Sequence, residues 1–139
     1  MAKYLYSLDN SQPMTVKITT NADVKDGDIV AITAGLVGPL AEADSDIIGI
    51  AIGDTDSGDD AAVLLLNPRS VIRVSYYSST DTKTSLAAAD RFGTLFDWDA
   101  TEGKMDLDDT TGGVFAVVNY DNDNDTADVC INAAKLWTA

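Results

Sequence analysis

Apolar positions in this chain come in short runs of about four to six residues, separated by clusters of Gly, Asp, Asn, Ser and Thr, a rhythm that predicts many short strands. Met14-Thr15-Val16-Lys17-Ile18-Thr19 alternates apolar and polar positions, as a half-exposed strand does. Asp26-Gly27-Asp28 predicts a turn into Ile29-Val30-Ala31-Ile32, and Gly35 and Gly38-Pro39 a hairpin into a short strand near Leu40. Residues 47–52 form a fuller apolar run with bends at Gly49 and Gly53. Further strands are expected at 62–66 and, beyond Pro68, at 71–77, where β-branched and aromatic residues dominate. Others follow at 94–99, 104–107, 114–120 and 127–132, and only 86–91 has helix preference, enough for one or two turns. The pattern therefore predicts an all-β fold, a small barrel or sandwich of short antiparallel strands with at most one short helix. An extended N-terminal arm at 1–20 would precede a single β domain at 21–139.

The two halves of that domain, about 27–66 and 93–132, echo each other. Gly27-Asp28-Ile29-Val30-Ala31-Ile32 parallels Gly93-Thr94-Leu95-Phe96-Asp97-Trp98, and each is followed by a Gly turn and a strand ending at Leu40 or Leu107. Gly49-Ile50-Ala51-Ile52 parallels Gly113-Val114-Phe115-Ala116, and each leads through an acidic loop into Ala61-Ala62-Val63 or Ala127-Asp128-Val129. An offset near 64 to 66 residues recurs throughout, as in a duplicated unit. Two copies are too few for a solenoid, so the expectation is two sheets, each with one apolar face, covering each other.

Composition narrows the chemistry. The 139 residues suit one domain, and 45% apolar content is enough for a core. Nine basic residues against 23 acidic ones give a net charge of −14, which repels nucleic acid and anionic membrane and favours docking on a neutral or basic protein surface. Histidine is absent, which removes the commonest general base and metal ligand and any Ser-His-Asp triad. A lone cysteine, Cys130, allows no intrachain disulfide and sits in a strand context that predicts a buried, inert thiol. Residues 1–10 carry no long apolar run, so no signal peptide is expected, and no run approaches the ~20 residues of a membrane span.

Two acidic loops are the candidate metal sites. Asp121, Asp123 and Asp125 alternate with Asn122 and Asn124 as at the start of a calcium loop, but Thr126 and Asn132 occupy the positions where an EF-hand needs Gly and Glu. Asp54 and Asp56 hold the equivalent place in the other half, so a structural calcium is the one cofactor the sequence suggests. Both loops read equally as solvated hairpin turns. Asp97 and Asp99 flank Trp98, and alternation places them on the face opposite that ring, toward water. Neither has the apolar pocket a glycosidase acid requires. Phosphate-binding loops and nucleophile elbows are also absent, and no enzymatic activity is expected.

Over residues 27–132 the glycine and strand pattern resembles the capsid decoration, or cement, proteins of tailed phages. The features that carry the resemblance are Gly27-Asp28-Ile29-Val30, Ile48-Gly49-Ile50-Ala51, a Val-rich strand, Gly93-Thr94-Leu95-Phe96-Asp97-Trp98-Asp99 with a turn at Gly103, and Gly113-Val114-Phe115-Ala116. The family usually has Gly-Asp at the second turn, where this chain has Gly93-Thr94. The resemblance implies a structural virion protein, often a homotrimer, made in the host cytoplasm and bound to the outer capsid surface, where it stabilises the shell by bridging major capsid protein subunits. It also implies that the arm lies along the shell, with Tyr4, Leu5 and Tyr6 as apolar anchors and Met14, Val16 and Ile18 on a strand able to extend a capsid-protein sheet. Partners expected on this reading are the major capsid protein and further copies of the chain, without nucleic acid or membrane. A β-sandwich module that binds carbohydrate or a receptor through calcium in the acidic loops is the alternative, and a surface-layer or tail-tube subunit is another structural option.

Overall fold

The computed structural model describes residues 1–41 and 45–138. Among them eleven strands alternate with tight turns: β1 (Lys3–Ser7), β2 (Thr15–Thr19), β3 (Ile29–Thr33), β4 (Leu36–Pro39), β5 (Ile47–Ile52), β6 (Asp60–Leu65), β7 (Ser70–Tyr77), β8 (Leu95–Asp99), β9 (Lys104–Asp106), β10 (Phe115–Asp121) and β11 (Thr126–Ile131). Among the described residues helical content is limited to single 3-10 turns at Ala88–Asp90 and Ala133–Lys135. The fold is all-β. Strands β7, β11, β10, β8 and β9 follow one another in a sheet, and a parallel pairing of β9 with β7 closes it into a five-stranded barrel. A second sheet has the order β2-β6-β5-β3-β4. It curls the same way, because a parallel bridge from Thr20, just past β2, to Val37 in β4 ties its two edges.

The two halves repeat in register. Val30 lies opposite Gly49 as Phe96 lies opposite Phe115, and Ala51 opposite Val63 as Val117 opposite Val129. Val16 faces Val63 as Ile72 faces Val129. The Thr20 N–H donates to the Asp59 carbonyl at 2.9 Å, and Tyr76 repeats that bond to Asp125 at 2.9 Å. One offset relates β3, β5 and β6 to β8, β10 and β11. By this register Gly49 corresponds to Phe115, not to Gly113 as the sequence alignment suggests. Glycine spacing misled there because the two glycines do different things. A Cβ on Gly49 would sit 2.1 Å from the Leu64 carbonyl oxygen, whereas one on Gly113 would meet Leu95.

The halves also pack differently from the expected pair of facing sheets. The first half encloses its own interior of Val24, Val30, Val37, Ile48, Ala51, Ala61 and Val63. Its outer face, with Ile29, Ala31, Ile47 and Ile50, joins the larger core built on the second barrel. Phe96, Trp98, Met105 and Phe115 fill that barrel where the first half has Val30, Ile32, Val37 and Gly49. Trp98 and Phe115 meet edge to face, with ring centroids 5.8 Å apart. A single hydrophobic cluster thus spans both halves.

At the β3–β4 turn Ala34 and Gly35 both have positive φ, 50° and 80°, the geometry of a two-residue hairpin turn that favours Asn-Gly. Ala34→Asn removes the penalty on an alanine there, and an increase of about 0.5–1 kcal/mol in unfolding free energy is expected by urea denaturation.

Candidate docking surface

The N-terminal twenty residues form β1 and β2 and are stitched to both halves. β1 pairs antiparallel with β7 of the closed barrel, and β2 with β6 of the second sheet. Between the strands the backbone bonding continues from the Leu8 N–H to the Arg69 carbonyl and from the Leu65 N–H to the Met14 carbonyl, each at 2.8 Å. The Asn67 amide donates to the Ser11 hydroxyl at 3.1 Å. Residues 3–19 and 60–73 therefore run side by side as one antiparallel ribbon across both sheets, and β1 keeps one free edge. The residues expected to dock lie on this ribbon. Tyr6 and Met14 are exposed, at 47% and 65%, whereas Tyr4, Leu5, Val16 and Ile18 are half-buried, Tyr4 against the shared core and Val16 and Ile18 against the first-half interior.

Charge is sharply divided between the ribbon and the rest. Asp9 and Asp60 are the only acidic residues of the ribbon, Asp60 at its end where it accepts the Thr19 hydroxyl at 2.7 Å, although the chain carries 23. Lys3, Lys17, Arg69 and Arg73 fall on the ribbon, all exposed. Arg73 is tied to Asp128 at 2.8 Å across the strand pair. Asp9 accepts hydrogen bonds from the Ser7 hydroxyl (2.5 Å) and the Ser11 N–H (3.0 Å), which hold its carboxyl down at about 2. A protein of net charge −14 thus presents one cationic strip, studded with exposed Tyr6, Leu8 and Met14. Beside it a 300 Å³ apolar groove is lined by Val16, Ile47, Ile48, Leu65, Leu66 and Trp137. Trp137 is 49% exposed and held there by its N–H bond to the Ile47 carbonyl.

No family model and no curated protein matches this chain.

The acidic loops lie elsewhere, and the carboxylates of Asp54 and Asp121 are engaged with backbone N–H groups. Asp54 accepts the Asp26 N–H at 2.9 Å and Asp26 the Gly53 N–H at 2.7 Å, so the two turns clasp each other. The Asp56 carbonyl takes the Thr20 hydroxyl. Asp121 accepts the N–H groups of Asp123 and Asn124 and the Asn124 amide, which lowers its pKa. The Asp125 carbonyl serves Tyr76. Asn122 is the clamp of this loop: its oxygen accepts the Tyr76 hydroxyl (2.6 Å) and the Leu86 N–H (3.0 Å), and its amide donates to the Leu86 carbonyl (2.8 Å). Among the described residues no three His, Cys, Asp or Glu side chains converge as a metal-holding group. Asp108 pins the 78–83 loop in the same manner, through the Ser78 hydroxyl and the N–H groups of Thr80 and Lys83, and is held well below the usual carboxylate range.

Asp97 departs from expectation. It does lie on the face opposite Trp98, but it is buried rather than open to water, because the chain near Asp109 covers that face and the Asp97 N–H bonds the Asp109 carbonyl. Burial raises its pKa, against the Trp98 N–H that lowers it, with Asp109 and Asp106 repelling and Lys135 attracting the charge. A raised folded pKa favours the protonated acid, so this contribution to stability is present at low pH and lost as pH rises through the folded value. Asp97→Asn keeps an acceptor for Trp98 without the charge. It is expected to raise Tm by roughly a few degrees at pH 7 and to lose that gain near pH 4, as read by thermal melts across pH.

Signals for Leu8, Leu66, Arg69 and Trp137 were available only in part. The stretch of 61–77 without a single carboxylate is visible in the sequence, but its pairing with 3–19 is a tertiary fact. Cys130 is buried, which pushes its thiol pKa up.

Proposed function

We propose that the chain is a non-enzymatic decoration protein of a tailed-phage capsid, seated on the outer surface of the assembled shell through the ribbon of residues 3–19 and 60–73. The observation that carries this reading is the charge division, one cationic and partly apolar strip on an otherwise anionic body. Such a surface orients the molecule in a partner's field and presents one preferred face. The whole-chain charge favours a neutral or basic partner; the local charge of the ribbon favours an acidic rim around apolar patches on the major capsid protein. The free edge of β1 and the groove beside Trp137 supply backbone hydrogen bonds and apolar burial. A rigid body that binds the assembled lattice and not the loose subunits stabilises the lattice by mass action, with no chemistry required. Repetition over the shell multiplies modest contacts.

The test is to add purified protein to mature shells of the encoding phage that lack it. Saturable binding and a higher rupture temperature are expected. Shells that melt at an unchanged temperature, with the protein left in the supernatant, contradict the proposal.

A further inference from the structure

The in-register repeat makes the two halves internal controls for each other, and they differ most at one place. In the first half the strand ends after β2 are roofed by the seven-residue loop between β5 and β6, residues 53–59. The Thr20 hydroxyl bonds the carbonyl oxygens of Asp56 and Asp59 at 3.0 Å each and accepts the Gly58 N–H at 3.1 Å, leaving Thr20 2% exposed. In the second half β10 and β11 are joined by only 122–125, where Asn122 bonds Tyr76 and Leu86. At the corresponding position, around Ser75 to Ser78 of β7 and its continuation, there is an open cavity of about 420 Å³. Its wall carries Ser75, Tyr77, Ser78, Thr84, Lys104 and Asp125. By register Tyr77 and Lys104 stand where the first half has Asn21 and Leu36. Relative to its duplicate, then, the second half has a shorter loop there, an open cavity, and a tyrosine and a lysine in the cavity wall.

Tyr77 is fixed from its far end, because its hydroxyl donates to Asp99, which also accepts the N–H groups of Thr101 and Glu102. The half-buried Tyr77 is thus held in one orientation in the cavity wall. Around it stand hydroxyls, an ammonium and two carboxylates, Asp81 and Asp125, a mixed set of donors and acceptors. Asp81, Asp99, Asp106 and Asp125 near the site make it unfavourable for an anion. Concave, polar and backed by one preset ring, the site is suited to a ligand with many hydroxyls and no negative charge.

We propose that this cavity binds a neutral sugar residue of a glycan, with Tyr77 as the platform and Lys104, Ser75 and Asp125 reading its hydroxyls. This is independent of how the protein meets a shell. The test uses the full chain, labelled with ¹⁵N and titrated with D-glucose, D-galactose, N-acetyl-D-glucosamine and their disaccharides at millimolar concentration. Saturable shifts confined to Ser75–Ser78, Thr84, Lys104 and Asp125 are expected for at least one of them, weakened at least fivefold in Lys104→Ala with an unchanged Tm. No saturable shift with any of these sugars overturns the proposal. So do shifts spread over other surfaces, or binding of N-acetylneuraminic acid in preference to every neutral sugar.

Discussion

Reversing two of the four exposed ribbon cations together, Lys17→Glu with Arg69→Glu, is expected to weaken binding to mature shells by at least about tenfold at physiological salt while leaving Tm within about a degree. Both side chains are exposed, and neither supports the core, so a change in fold does not explain such a loss. Each cation at the rim of an interface is worth roughly 0.5–1 kcal/mol in water, and reversal adds repulsion to the lost attraction. The effect should fall mainly on the association rate and shrink as salt rises, because the Debye length contracts from about 8 Å at 0.15 M toward 3 Å at 1 M. A matched double reversal away from the ribbon, Lys25→Glu with Arg91→Glu, changes the net charge by the same amount at two exposed sites, serves as the control and is expected to leave binding within about twofold. Equal losses from both variants would mean that total charge, rather than the ribbon, governs the encounter.

Phe115→Ala is expected to cost about 3–5 kcal/mol of unfolding free energy, the range for emptying a fully buried aromatic site. Phe115 is 0% exposed, stacks edge to face on Trp98 and lies at the centre of the closed barrel. Against a typical total of about 5–15 kcal/mol, that loss leaves a protein close to its threshold. Val30→Ala, also buried and set where Phe96 stands in the other half, removes a smaller side chain and is expected to cost clearly less. Both variants should unfold in one transition by fluorescence and by far-UV circular dichroism. Ile29, Ala31, Ile47 and Ile50 of the first half belong to the same cluster as Phe115, so the larger core is shared and its loss uncovers the outer face of the first half. Two separated transitions would show that the halves are energetically independent.

These expectations depend on parts of the structure that were unequally legible in the sequence. Strands with alternating or β-branched runs, such as β2, β3, β5 and β7, were readable because burial of one face imposes that pattern. The duplication was readable as well, since turn residues recur at a near-constant spacing. Its exact register was not, because Gly49 is small for close backbone contact while its true counterpart, Phe115, is a large core residue. β1 was read as an arm: Tyr4, Leu5 and Tyr6 show no alternation, and the register shift between Tyr4 and Tyr6 interrupts the period of two. Asp97 was placed on the correct face, yet alternation says nothing of the chain near Asp109 that covers it. Similarly, the candidate metal carboxylates were visible as clusters, whereas the engagement of Asp54 and Asp121 with backbone N–H groups depends on turn geometry. The sequence contains the ribbon's charge as two separate stretches, and only the pairing of β1 with β7 and β2 with β6 joins them into one surface.

Electron cryomicroscopy of shells with and without the added protein tests the central proposal most directly. The account predicts extra density on the outer surface, fitted by the double-barrel body with residues 3–19 and 60–73 against the shell and the 53–59 and 122–125 loops toward solvent. Density fitted with the acidic loops against the shell and the ribbon outward, or a difference map with nothing on the outer surface, would contradict it.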